Sequence, residues 1–150
     1  MIFVTVGTFN FDDLIYQVDK LIEQGFITDK VICQIGNGQY QPKNCESFAY
    51  TKKIGSYIDD AEMVICHGGT GSVLDLIKRE KKFIAVANRA LANDHQMEFL
   101  SELSQEVDIP WASDMEKLCD IYINISSYSY SSRDGFLRSD LVDDLKKVLL

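Results

Sequence analysis

The sequence predicts a single α/β domain with a mostly parallel sheet and helices on both faces. Three observations carry that prediction. Short β-branched and apolar runs recur at Ile2 to Val6, Lys30 to Gly36, Glu62 to Cys66 and Lys82 to Ala87, each too short for a helix. Between them lie segments whose apolar residues repeat at helical spacing. The 150 residues, 46% of them hydrophobic, suit one core of ordinary size.

"IFVTV" reads as a buried first strand ending at Gly7. Phe11, Leu14, Ile15, Val18, Leu21 and Ile22 then form one helical stripe, with Asn10 placed to cap it. "KVICQIG" reads as the next strand, followed by a short one at Ser47 to Tyr50, a helix at Gly55 to Asp60 and the strand "EMVIC". Another helix begins after the glycines that follow. "KFIAVA" is a strand, a helix starts near Asn93, and a further one runs from about Asp114 to Ile123. Such alternation implies right-handed crossovers, and in such sheets ligands bind beyond the carboxyl ends of the strands.

This domain is expected to span residues 1–125. A Ser/Tyr-rich linker follows at 126–136, and Leu137, Leu141, Val142, Leu145, Val148 and Leu149 place an amphipathic helix at 137–150. Such a helix either packs on its own domain or docks another subunit.

A net charge of −8 argues against nucleic acid as a partner, since phosphate neutralisation needs clustered Lys and Arg. The four cysteines form no C-x-x-C pair, and "MIFVTV" carries no charged leader, which predicts a reduced, cytoplasmic protein. No apolar run approaches the roughly 20 residues that span a bilayer, so membrane attachment is expected to come through a partner.

The densest chemistry lies in "CHGGTGSVLD", Cys66 to Asp75. Gly68, Gly69 and Gly71 sit between a strand and a helix, so backbone N–H groups collect at a helix N-terminus and form an anion site. Glycine lets a diphosphate approach the backbone, Thr70 and Ser72 add hydroxyl donors, and His67 adds a ring nitrogen. Asp75 lies one turn inside, roughly 5 Å along the axis, where a carboxylate accepts from both hydroxyls of a ribose. The competing reading is a packing turn, capped by Thr70 or Ser72, with Asp75 paired to Lys78 or Arg79.

Other phosphate and nucleophile motifs are absent: there is no G-x-x-x-x-G-K-[ST], no third dinucleotide glycine and no G-x-S-x-G elbow. Two histidines and scattered cysteines make a zinc site improbable, and no metal or other cofactor is expected. Beyond the next strand, Asn93, Asp94, His95 and Gln96 open a helix at the same sheet edge. Asn93 and Gln96 also have the spacing of a capping box, while His95 and Gln96 offer donors and acceptors suited to sugar hydroxyls.

The segment "VICHGGTGSVLDLIKREKKFIAVANRALANDHQ" resembles the donor-binding half of two-domain GT-B nucleotide-sugar glycosyltransferases, a Rossmann-like domain equivalent to their C-terminal half. The resemblance implies that His67, Gly69 and Ser72 contact the donor diphosphate, Asp75 the ribose, and Asp94, His95 and Gln96 the hexose. The opening "VTVGTFNFDDLI" is similar to the start of the same superfamily, which implies that Gly7 and Thr8 face the diphosphate. Asp75 departs from the family's more usual glutamate.

The resemblance implies that a chain of 150 residues supplies only the nucleotide half. It resembles the small catalytic subunits of two-subunit transferases, which act in dolichol-linked oligosaccharide synthesis or in bacterial capsule and exopolysaccharide synthesis. That likeness implies a UDP-sugar-dependent hexosyltransferase, active with a membrane-associated acceptor-binding subunit and peripheral to the membrane through it. The expected donor is UDP-galactose, UDP-N-acetylglucosamine or UDP-glucuronate, and the acceptor a polyprenyl-diphosphate-linked saccharide. His67 is the candidate for stabilising the leaving group, and no catalytic base is assigned. The competing functions are a non-catalytic nucleotide-sugar-binding activator and a stand-alone nucleotide-binding regulator.

Overall fold

The structure, a computed structural model, describes residues 1–90 and 94–125. The expected linker, the C-terminal amphipathic helix and Asn93 lie outside the described residues. The elements run β1 (Ile2–Thr5), α1 (Asp12–Glu23), β2 (Val31–Gln34), β3 (Glu46–Phe48), α2 (Ile54–Asp60), β4 (Met63–His67), α3 (Thr70–Lys78), β5 (Phe83–Val86), α4 (His95–Glu106), β6 (Trp111–Ala112) and α5 (Met115–Ile123). The strands form one six-stranded sheet in the order β3-β2-β1-β4-β5-β6, and every pairing is parallel.

That order opens a crevice at one edge of the sheet. From β1 the chain winds outward through β2 and β3, then crosses to β4 on the other side of β1 and winds outward again through β5 and β6. The loops leaving β1 and β4 therefore diverge to opposite faces from neighbouring strands and open a crevice at their carboxyl ends. Thr5 pairs with Cys66, which brings Gly7 beside His67.

Alternation along each buried strand divides the core in two. Val64 and Cys66 of β4 join Phe3, Ile32 and Ala85 under α2, α3 and α4. Met63 and Ile65 join Val4, Cys33 and Ile84 under α1 and α5. The strands are apolar on both faces because helices cover both. On the first face Phe3, Phe48 and Tyr57 stack with ring centroids 5.0–6.4 Å apart and seat the short helix α2 against the sheet.

Several local expectations give way to tertiary contacts. Asn10 does not cap α1: Phe11 holds the N-cap position without a side-chain hydrogen bond, and the Asn10 carbonyl accepts from Asn88 instead. Strand β6 has no counterpart in the expected elements. It is only two residues long and is defined by pairing with β5, where Ala85 and Ala87 donate to the carbonyls of Pro110 and Ala112. All four cysteines are free thiols, with the Sγ atoms of Cys33 and Cys45 3.6 Å apart. Among the described residues, no helix is long and apolar enough to cross a membrane.

Candidate functional site

The glycine turn joins β4 to α3 at the crevice. Gly69 is the N-cap of α3 in extended conformation, and neither Thr70 nor Ser72 caps the helix. The Gly68 amide donates to Gln96 Oε1 at 2.8 Å and the Gly69 amide to His67 Nδ1 at 3.1 Å. The first bond of the helix runs from the Val73 amide to the Gly69 carbonyl. The amides of Thr70, Gly71 and Ser72 precede it at the N-terminus of α3, where the positive pole of the helix lies.

His67 is 8% exposed, and its ring is held on three sides. A Cβ on Gly7 would lie 2.6 Å from Nε2, so this glycine, at φ +73°, admits the ring by lacking a side chain. Gly69 is pressed as closely against Cε1. Gln96 Oε1 accepts from both the Gly68 and Asn88 amides, which orients its side-chain amide and leaves Nε2 to donate to His67 Nδ1 at 3.2 Å. Nδ1 thus accepts twice and carries no proton. The proton sits on Nε2, 3.1 Å from Ser72 Oγ, and is donated to it. The Ser72 hydroxyl then has its own hydrogen to give to a ligand. Burial pushes the imidazole pKa down to about 4, so the ring is neutral at physiological pH.

The structure brings Gly7, His67, Gly68, Gly69, Thr70, Gly71, Ser72 and Gln96 together, while the remaining site residues are spread around them. Gln96 is 7% exposed, with its amide committed to Gly68, Asn88 and His67. The expected capping box is therefore not formed by Gln96. The N-cap of α4 is Asp94, in left-handed conformation at φ 52°, with no side-chain cap. Asp94 is paired to Arg89 at 2.9 Å, His95 is exposed, and Thr8 lies exposed with its carbonyl accepting from Tyr50.

Asp75 forms the ion pair that the packing expectation named, and it also faces an open cleft. It lines a cleft of about 280 Å³ with Thr5, Ile54, Ile58, Gly71, Ser72 and Leu76. It also receives Arg79 Nε on Oδ2 at 2.8 Å, the helical ion pair that the packing reading required. With side chains 44% and 33% exposed, such an i,i+4 pair contributes only about 0.3–0.5 kcal/mol. The pair therefore adds little to stability.

Two buried polar residues at the strand ends escaped the sequence reading. Gln34, at the end of β2, accepts from Thr5 Oγ1 and the Val6 amide and donates to the carbonyls of Gly7 and Ala49, locking the loop after β1. Asn88, after β5, ties the Asn10 carbonyl to the Ala90 amide. The available signal was a polar side chain ending each apolar run, where a buried amide must find partners. Among the described residues, no buried side-chain nitrogen or oxygen lacks one.

The glycosyltransferase family 28 C-terminal domain matches residues 1–109, which include β1, the glycine turn, the cleft and α4. The chain belongs to this family. It is 35% identical over 118 residues to the human UDP-N-acetylglucosamine transferase subunit ALG13, covering 70% of this chain and 10% of that protein. The same-named subunit of Debaryomyces hansenii is 34% identical over 55% of this chain and 39% of its own. The chain thus spans a tenth to two fifths of these relatives. A similar fold is found in the crystal structure of Acinetobacter baumannii MurG, at TM-score 0.62 and 11% identity over 99% of this chain and 51% of MurG. The domain therefore corresponds in fold to one half of a GT-B glycosyltransferase, with its glycine turn and cleft at the topological switch point.

Proposed function

We propose that the chain is the donor-binding subunit of a UDP-N-acetylglucosamine transferase that glycosylates a polyprenyl-diphosphate-linked saccharide. A partner subunit supplies the acceptor side and the attachment to the cytoplasmic face of a membrane. The observation that carries this reading is the cleft at the switch point, where Asp75 lies one helical turn from the amides of Thr70, Gly71 and Ser72. The spacing suits a nucleoside diphosphate: diphosphate on the amides, ribose diol on the carboxylate. The names of the human and Debaryomyces relatives favour N-acetylglucosamine over galactose or glucuronate.

In this reading the sugar's anomeric carbon loses the UDP oxygen as an acceptor hydroxyl attacks. Charge developing on the leaving diphosphate is met by the three amides, the α3 dipole and the Ser72 hydroxyl. His67 contributes from behind, since its Nε2–H fixes Ser72 Oγ as an acceptor on one side and frees its hydrogen for phosphate on the other. Gly7 and Thr8 flank the diphosphate, and Asp94 and His95 lie toward the hexose. Gln96 acts through His67 and the Gly68 amide. The acceptor hydroxyl passes its proton to a base outside this set of residues, either another carboxylate or a group of the partner.

The test is UDP release and glycolipid formation by the chain co-purified with its acceptor-side subunit. UDP-N-acetylglucosamine, UDP-galactose and UDP-glucuronate are supplied in parallel with a polyprenyl-diphosphate-linked sugar. Turnover with the first, lost in Asp75→Ala and Ser72→Ala, is the expected result. Wild-type rates in both variants overturn the site, and turnover with another donor alone overturns the sugar.

A further inference from the structure

Arg79 joins the two walls of the cleft. Its Nε donates to Asp75 Oδ2 on α3 and its Nη1 to Asp59 Oδ1 on α2, both at 2.8 Å. The guanidinium lies close over the first turn of α2, where a Cβ on Gly55 would come within 3.2 Å of Nη2. Ile54 and Ile58 of that helix and Asp75 of α3 line the same cleft. An aspartate has two side-chain torsions with which to aim its carboxylate, and Arg79 holds one of its two oxygens in a defined plane. The ion pair adds little to stability at this exposure, so its value lies in that orientation.

We propose that Arg79, held by Asp59, is a positioning residue that presets the Asp75 carboxylate and thereby makes the cleft selective for ribose over 2′-deoxyribose nucleotides. This rests on the nucleotide-sugar reading above. A site built around a substrate hydroxyl rejects the analogue lacking it because its own polar group is left unpaired. A carboxylate free to turn satisfies itself with water and discriminates less. Lysine is a poor substitute, since its ammonium is a flexible point charge without the planar fork that spans Asp75 and Asp59.

The experiment compares dissociation constants of UDP and 2′-deoxy-UDP by calorimetry for the wild-type chain, Arg79→Lys, Asp59→Asn and Asp75→Asn, with thermal unfolding of each as a check on folding. Wild type should prefer UDP by about tenfold or more, the scale of one hydrogen bond to a charged group. Arg79→Lys and Asp59→Asn should lower that ratio severalfold at unchanged unfolding temperature, and Asp75→Asn should abolish it. A purely structural role for Arg79 would weaken both ligands equally. An unchanged ratio in Arg79→Lys, with UDP still bound by wild type, overturns this inference alone. Failure of the wild-type chain to bind UDP overturns the nucleotide reading and this inference with it.

Discussion

Gln96 Nε2 lies 3.2 Å from His67 Nδ1, and this contact across 29 positions decides which imidazole nitrogen carries the proton. The amide can point only one way, because its oxygen already holds the Gly68 and Asn88 amides. A neutral His67 protonated on Nε2 is the consequence, and it sets the role of Ser72.

Replacing that amide by a carboxylate reverses the logic. In Gln96→Glu the group facing Nδ1 accepts rather than donates, which favours a doubly protonated ring. The His67 pKa, held at about 4 in the wild type, should rise by roughly one to three units. Nitrogen-detected NMR of the two histidines follows both pKa and tautomer. Wild-type spectra showing the proton on Nδ1 would contradict the assignment outright.

Stability should also depend on His67. The folded ring protonates near pH 4, whereas an unfolded one does so near 6.5. Between those values the unfolded chain binds more protons, so stability rises with pH across the window. The contribution is complete above about pH 6.5 and is lost as pH falls toward 4, with a total on the order of 3 kcal/mol. Urea unfolding at intervals from pH 4 to 7.5 measures it. His67→Asn should flatten the slope in that window, and a slope equal to wild type would assign the effect elsewhere.

The glycines around the ring should separate folding from binding. Gly7→Ala and Gly69→Ala drive a methyl into His67, and at Gly7 they do so at positive φ, so both should destabilise by about 1–3 kcal/mol. A Cβ at Gly71 meets nothing within 4 Å and sits in the first turn of α3. Gly71→Ala should therefore be neutral or stabilising by up to about 1 kcal/mol. Its methyl nevertheless enters the cleft, so UDP affinity should fall. Unfolding temperature and UDP titration on the three variants distinguish the effects, and unimpaired UDP binding by Gly71→Ala would remove the diphosphate from this turn.

Asp19 offers a test remote from the cleft. Burial acts to raise its pKa, but hydrogen bonds from the Tyr40 hydroxyl, the Lys43 and Asn44 amides and the Asn44 side chain outweigh it and leave the pKa lowered. This charge stabilises the fold above the unfolded value of 3.8 and ceases to do so as pH falls through the lower folded value. Asp19→Asn should cost about 2 kcal/mol at neutral pH while leaving UDP affinity intact. Limited proteolysis within residues 39–45 reports the released loop, and unchanged cleavage would show that Asp19 does not anchor it.

Much of the fold was legible because burial imposes a period. β1, β2, β4 and β5 are continuous apolar runs since helices cover both faces, and α1 declares itself through its single stripe from Leu14 to Leu21. β6 was not legible, because two residues have no period and Trp111–Ala112 is a strand only by virtue of β5 beside it. At the site, the glycine turn, His67, Ser72 and Asp75 could be read from residue type and order. Asn88, Gln34 and Asp59 could not, since each acts through a partner that only the fold brings near.

Sequence alone determined the alternating architecture, the position of the glycine turn and the carboxylate one turn beyond it, because these depend on local spacing along strands and helices. Tertiary structure decided the protonation of His67, the commitment of Gln96 to the protein and the Arg79 bridge between Asp75 and Asp59. Those outcomes rest on hydrogen-bond geometry between residues up to 29 positions apart. Donor, acceptor and tautomer are settled only when the partners meet.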